Sequence, residues 1–237
     1  MTPSSFYLKT AISQLPLIAI LRGIRPAEVE SVALSLYRQG FRLIEVPLAS
    51  PEALRSIAIL RDCLPADALF GAGTVTQLSD VFHLRDLQAN LVVMPHADVR
   101  LVRAIKAADM ICIPGVSSVT EAFAALQAGA DALKLYPAEL ISASVLKAMR
   151  TVLSARPYLF PVGGIAPDNM CAYWRAGASG FGLGGSLYSA GMTVTEVERR
   201  AEGLIQAWHS ACDAVGERVE VASNDMPESA HYYGVEI

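Results

Sequence analysis

Lysine is scarce in this chain. Its 237 residues hold only Lys9, Lys106, Lys134 and Lys147, charged residues of every kind make up 18%, and the net charge is −4. With no basic run, the sequence excludes nucleic acid as an expected partner. It leaves a small anionic substrate open, because local fields decide that question. Cysteine is equally sparse. Cys63, Cys112, Cys171 and Cys212 stand far apart, with no C-x-x-C pair and no histidine at zinc-ligand spacing. Cys112 lies in an apolar run and reads as a buried small hydrophobe, and free thiols suit a reducing, cytoplasmic setting. The histidines are His83, His96, His209 and His231. None is paired at metal-ligand spacing, so no metal is expected. No apolar run approaches the ~18–20 residues of a membrane span. The N-terminus has Lys9 but no long apolar stretch with a cleavage site, so no signal peptide is expected.

Apolar material is abundant, at 53% of residues. It falls into short runs at a steady interval: Leu17–Leu21, Leu43–Pro47, Leu69–Gly73, Leu91–Met94, Met110–Ile113, Ala132–Tyr136, Tyr158–Val162 and Gly180–Gly184. Their near-continuous apolar character predicts parallel strands covered on both faces. Helix-like segments lie between them. One runs from Pro26 to Gln39. Another opens at Ser50-Pro51-Glu52, with Ser50 as N-cap. A third starts at Thr76 or Ser79, a fourth at Ser118 or Thr120, and a fifth follows Pro167-Asp168-Asn169. Gly40, Gly129 and Gly177 each stand where a helix must stop before the next strand. About eight strands alternating with helices predict a single-domain α/β fold, a (β/α)8 TIM barrel over residues 1–212 with a short N-terminal helix. An open doubly wound sheet fits less well, because no G-x-G-x-x-G follows the first strand. Residues 213–237 read as a polar extension, partly ordered through Arg218-Val219-Glu220-Val221 or Tyr232-Tyr233.

In such a barrel, function gathers where the strands end. Lys134 sits inside an apolar strand. Desolvation there costs free energy, lowers the lysine pKa and frees a neutral amine to act as a nucleophile; the alternative is a buried stem with its head in water. Glu45 is the only carboxylate within the predicted strands, and a buried carboxyl suits proton transfer near neutral pH. Arg22 ends the first strand and offers a planar fork to a carboxylate. Thr74 follows Gly71-Ala72-Gly73 and offers a hydroxyl. His96 follows the fourth strand and lies where it could line the site mouth. The paired glycines Gly163-Gly164 and Gly184-Gly185, with Ser186, follow strands seven and eight, where barrels bind phosphate on backbone N–H groups. Together these residues fit a phosphorylated 2-keto acid. The amine forms a Schiff base that acts as an electron sink, and the natural reaction is reversible aldol cleavage to pyruvate and a phosphorylated aldehyde.

The ordered set "IEVPL" around Glu45, "GAGTV" at Gly71–Val75, "IPG" at Ile113–Gly115 with S-x-x-E soon after, "ALKLYPAE" at Ala132–Glu139, "PVGGI" at Pro161–Ile165 and "LGGSLY" at Leu183–Tyr188 resembles the KDPG/KHG aldolase family, over about residues 15–210. The resemblance implies Lys134 as the Schiff-base lysine and Glu45 as the acid–base residue. It places Thr74 near the pyruvyl carboxylate and Gly163, Gly164, Gly184, Gly185 and Ser186 around the phosphate, with Pro95 and Val162 in the substrate-binding set. It further implies a homotrimer, no cofactor, and a phosphorylated 2-keto-3-deoxy sugar acid and pyruvate as small-molecule partners. Three features resemble the galactonate-type branch. They are "LIAILRG" at Leu17–Gly23 with Arg22 as carboxylate clamp, Ala49 where gluconate-type enzymes carry arginine, and Val162 where they carry threonine. "KLYPAE" and "GGS" resemble the gluconate branch. The expectation is therefore cleavage of 2-dehydro-3-deoxy-6-phosphogalactonate to pyruvate and glyceraldehyde 3-phosphate, with the gluconate epimer or dual specificity as the alternative. A ribulose-phosphate-type epimerase would need carboxylates and metal-binding histidines at strand ends, and a non-catalytic sugar-phosphate-binding protein would be expected to have lost Lys134 or Glu45.

Overall fold

The computed structural model describes residues 3–153 and 157–213. Strands and helices alternate in the order α1 (Pro3–Gln14), β1 (Leu17–Ile20), α2 (Pro26–Arg38), β2 (Leu43–Pro47), α3 (Ala53–Cys63), β3 (Leu69–Gly73), α4 (Leu78–Asp86), β4 (Leu91–Val93), α5 (Val99–Ala107), β5 (Ile111–Ile113), β6 (Gly115–Val116), α6 (Val119–Gln127), β7 (Ala132–Leu135), α7 (Ala143–Leu153), β8 (Tyr158–Pro161), α8 (Met170–Arg175), β9 (Phe181–Leu183) and α9 (Val194–Asp213). Every strand pairing is parallel. Six strands pair in the order β5-β4-β3-β2-β1-β9 and three in the order β6-β7-β8. A bridge between Val162 and Gly182 joins the β8 side to β9. The sheet thus curls into a TIM-barrel-like ring.

The fifth strand departs from expectation. It runs past Ile113 but is split at Pro114 into β5, which pairs with β4, and β6, which pairs with β7. Proline has no N–H for a ladder. Its carbonyl still serves, accepting from the Lys134 N–H at 2.9 Å. The break therefore lies in register with the lysine.

Local signals explain most helix ends. Gly40, Gly129 and Gly177 take φ values of 104°, 101° and 102° where α2, α6 and α8 stop, as expected. Ser118 caps α6 in a reciprocal box with Glu121. Ser50 does not cap α3, which begins at Ala53; its Oγ instead accepts the Gly23 N–H at 2.9 Å and ties the loop after β2 to the loop after β1. Gln77, rather than Thr76 or Ser79, precedes α4. Helices α5, α7 and α9 complete the alternation beyond the segments marked in the sequence. Asp98 signals the first of these, accepting the N–H groups of Arg100 and Leu101.

Two apolar clusters result. A large one lies between the helices and the outer face of the barrel, including Val29, Leu36, Leu60, Leu101, Leu146 and Trp208. A smaller one fills the barrel: Ile18, Ile20, Leu43, Leu69, Leu91, Val93, Ile111, Ile113, Ala132, Phe160 and Val162, with Leu8, Ala11 and Ile12 of α1. The expected N-terminal helix is thus a plug against the barrel interior. At the other terminus, α9 reaches Asp213, and the rest of the expected extension lies outside the described residues. Among the described residues, no helix is long and apolar enough to cross a membrane.

Candidate active site

Side chains alternate across a strand, and this decides what reaches the interior. On β7, Ala132 faces in, so Lys134 does as well. On β2, Leu43 faces in, and so does Glu45. Glu45 is level with Ile20 on β1 and Gly71 on β3, and Lys134 is level with Gly115 and Phe160. Glu45 is 2% exposed and Lys134 5%. A cavity of about 600 Å³ opens at this end of the barrel. Lys134, Arg22, Thr74, Pro95, Val162, Gly163, Gly164, Gly184, Gly185 and Ser186 line it, so one cavity gathers the expected substrate-binding residues. Neither Glu45 nor His96 is part of the lining; Glu45 is tied to the cavity through its charge coupling to Lys134 and Arg22.

Gly73 makes room for Glu45. A Cβ at Gly73 would fall 2.0 Å from Glu45 Oε2, so any side chain there would expel the carboxylate. That oxygen is buried and has no hydrogen-bond partner among the described residues. Burial pushes the Glu45 carboxyl up to about 7, against the opposing pull of the Lys134 and Arg22 charges. Burial likewise lowers the Lys134 ammonium from its usual range. Glu45 resists that shift and Arg22 adds to it. Desolvation thus leads at both groups. A carboxyl near 7 can both give and take a proton at neutral pH, and a depressed lysine presents more of its nucleophilic, neutral form. Lys134 Nζ also sits 4.4 Å from the centroid of the Tyr136 ring, whose face favours a cation.

Part of the wall is backbone. Gly163 and Gly164 turn with φ values of 107° and 62°. In the second turn, the Gly184 carbonyl accepts from Leu187 and Tyr188, both at 2.9 Å. The N–H groups of Gly164, Ile165, Gly185 and Ser186 find no acceptor among the described residues. Such clustered free donors suit an anion. Thr74 sits at φ 59°, a left-handed backbone rarely adopted by a β-branched residue.

Sequence reading missed part of the lining. Tyr136 follows Lys134 by two residues, so strand alternation carried the signal. Ile20 and Gly182 follow from the same rule. Ile165 and Ala166 continue the first glycine turn. Glu139 had no such signal: its side chain packs against Gly163 and Gly164, where a Cβ would fall 2.3 Å from its Oε2 and 2.9 Å from its Cγ respectively.

The family model described as KDPG and KHG aldolase matches residues 8–203. The chain belongs to the KDPG and KHG aldolase family. The probable 2-dehydro-3-deoxy-6-phosphogalactonate aldolase of Rhizobium meliloti (strain 1021) is 41% identical over 193 residues, covering 81% of this chain and 91% of that relative. The 2-dehydro-3-deoxy-6-phosphogalactonate aldolase of Escherichia coli (strain K12) is 38% identical over 199 residues, covering 84% of this chain and 97% of the relative. A solved structure described as native KDPGal superposes with a TM-score of 0.83 at 38% identity, covering 84% of this chain and 97% of the other. The shared span of this aldolase family contains the whole cavity, from Ile20 to Ser186.

Proposed function

We propose that this aldolase cleaves 2-dehydro-3-deoxy-6-phosphogalactonate to pyruvate and glyceraldehyde 3-phosphate through a Schiff base on Lys134. The observation that carries the reading is the coupling of two desolvated ionisable groups, Lys134 and Glu45, with Lys134 opening on a cavity walled by glycine turns. The neutral Lys134 amine attacks the C2 ketone, and loss of water leaves a protonated imine. Glu45 takes the proton of the C4 hydroxyl as the C3–C4 bond breaks. The bonding electrons pass into the imine to give an enamine, and the aldehyde leaves. Glu45 then returns its proton to C3, and water releases pyruvate and restores the amine. Arg22 and Thr74 hold the substrate carboxylate, and the two glycine turns hold the phosphate.

The galactonate epimer is favoured by the names of the relatives at 38–41% identity. It is also favoured by Arg22 at the cavity, by Ala49 and by the apolar Val162, which offers a substrate hydroxyl no partner. The gluconate epimer is the second reading, supported by the "KLYPAE" and "GGS" segments. A homotrimer in the cytoplasm belongs to the same proposal. The exposed apolar pair Leu78 and Phe82, one turn apart on α4, supports a covered face, and the free cysteines support a reducing compartment.

Borohydride reduction in the presence of pyruvate tests the mechanism. A stable adduct on Lys134, absent in Lys134→Ala, is expected, with cleavage lost in that variant. No adduct, or near-normal turnover by Lys134→Ala, would sink the proposal. A side-by-side assay of the two C4 epimers then decides the substrate.

A further inference from the structure

Both glycine turns are gripped by side chains outside the cavity lining, Asn169 just before α8 and Arg200 on α9. Asn169 Nδ2 donates to the Gly164 carbonyl at 2.7 Å, and its Oδ1 accepts the Ala166 N–H at 3.1 Å. Arg200 Nη1, on α9, donates to the Gly185 carbonyl at 2.8 Å. Both turns line the cavity, but neither Asn169 nor Arg200 does. In a planar trans peptide the C=O and N–H point in opposite directions. Holding the Gly164 carbonyl outward therefore turns the Ile165 N–H inward, and holding the Gly185 carbonyl outward turns the Ser186 N–H inward. These are two of the donors with no acceptor among the described residues. Glycine peptides rotate with little steric resistance. Without an outer partner, each would be free to swing its carbonyl, rather than its N–H, toward an incoming anion.

The geometry points to Asn169 and Arg200 as paired positioning residues that lock two glycine peptides with their N–H groups facing the substrate phosphate. This rests on the reading of the glycine turns as the phosphate site. Neither residue touches substrate. Arg200 also places a positive charge behind the second turn, which reinforces the effect on an anion. The two side chains act on separate turns, so their contributions multiply rather than overlap.

The test compares Asn169→Ala, Arg200→Ala, Arg200→Lys and the double alanine variant with wild type. Each is assayed on the phosphorylated substrate and on the same keto acid lacking the phosphate, with inorganic phosphate as competing ligand. Each alanine variant should raise KM for the phosphorylated substrate and Ki for phosphate roughly threefold to tenfold. The double variant should show the product of the two effects. Turnover number, and kcat/KM for the unphosphorylated acid, should stay within about twofold. Arg200→Lys, which keeps a donor and the charge, should recover most of the loss. Unchanged phosphate inhibition in both alanine variants would overturn the inference, and so would equal losses on the two substrates, which mark a merely structural role. If wild type neither prefers the phosphorylated acid nor is inhibited by phosphate, the phosphate-site reading itself falls and takes this one with it.

Discussion

The two halves of the barrel interior are built by the same strands and differ by a single step along them. In the lower half, Ile18, Leu43 and Ala132 meet the α1 residues Leu8, Ala11 and Ile12 in a closed hydrocarbon plug. Two residues further on, about 6.6–6.8 Å along each strand, Leu43 gives way to Glu45 and Ala132 to Lys134. Just past the end of β1, Arg22 stands two residues beyond Ile20. The lower layer supplies burial and the upper layer uses it. Glu45 and Lys134 depart from their ordinary proton affinities because a filled core beneath them excludes water. The plug is therefore part of the chemistry, although it touches no substrate.

Glu45→Gln breaks the comparison most strongly. Removing a positioned acid–base group should lower kcat by roughly 10²–10⁴-fold. The acid limb of the pH profile, set near 7 by this group, should vanish from the residual activity. Stability should move the other way. Glu45 holds its proton up to about 7 in the fold, against 4.5 for a free carboxyl. Folding therefore favours the protonated form, and this contribution is lost as pH rises from 4.5 through 7. The full difference corresponds to about 3 kcal/mol at ~1.4 kcal/mol per pH unit. Thermal unfolding of Glu45→Gln should gain on wild type between pH 5 and pH 8. A constant difference across that window would mean that the carboxyl is not desolvated.

Leu43→Ala probes the other half. Leu43 is fully buried in the plug, one step below Glu45. Its truncation should cost about 2–5 kcal/mol of stability through lost burial and a residual cavity. If the lower layer works only by excluding water, the cavity should stay dry and kcat should change little at temperatures where the variant is folded. A fall of the kinetic pKa from about 7 toward 4.5 in this variant would show instead that water has reached Glu45 from below. Denaturant titration and a pH–rate profile separate the two outcomes.

These layers were unequally legible in the sequence. The strands stood out because a buried parallel strand must be apolar at nearly every position, and Glu45 and Lys134 stood out for breaking that rule. Pro114 did not announce that it splits the fifth strand, since its carbonyl continues the pairing that its nitrogen cannot make. Ser50 carries the residue type of a helix cap, yet it bonds Gly23 across to the preceding loop, a contact that no local spacing encodes. Tyr136 was recoverable from alternation alone. Asn169 and Arg200 were not. Each grips a carbonyl that any residue type would present, and Arg200 does so from fifteen residues along the chain.

Val162→Thr gives the smallest and most selective effect. Val162 is 6% exposed at the cavity wall, where its Cγ2 would lie 2.5 Å from any Cβ at Gly182. Threonine keeps nearly the same shape and adds one hydroxyl that can serve a substrate C4 hydroxyl. A single neutral hydrogen bond contributes about 0.5–1.5 kcal/mol. The ratio of kcat/KM for the galactonate-type over the gluconate-type epimer should therefore fall roughly threefold to tenfold. The rate of borohydride trapping with pyruvate, which has no C4, should not change. A changed trapping rate would place Val162 at the Schiff base rather than at the hydroxyl. An unchanged epimer ratio would move the discrimination to Arg22 and Ala49, after the first and second strands.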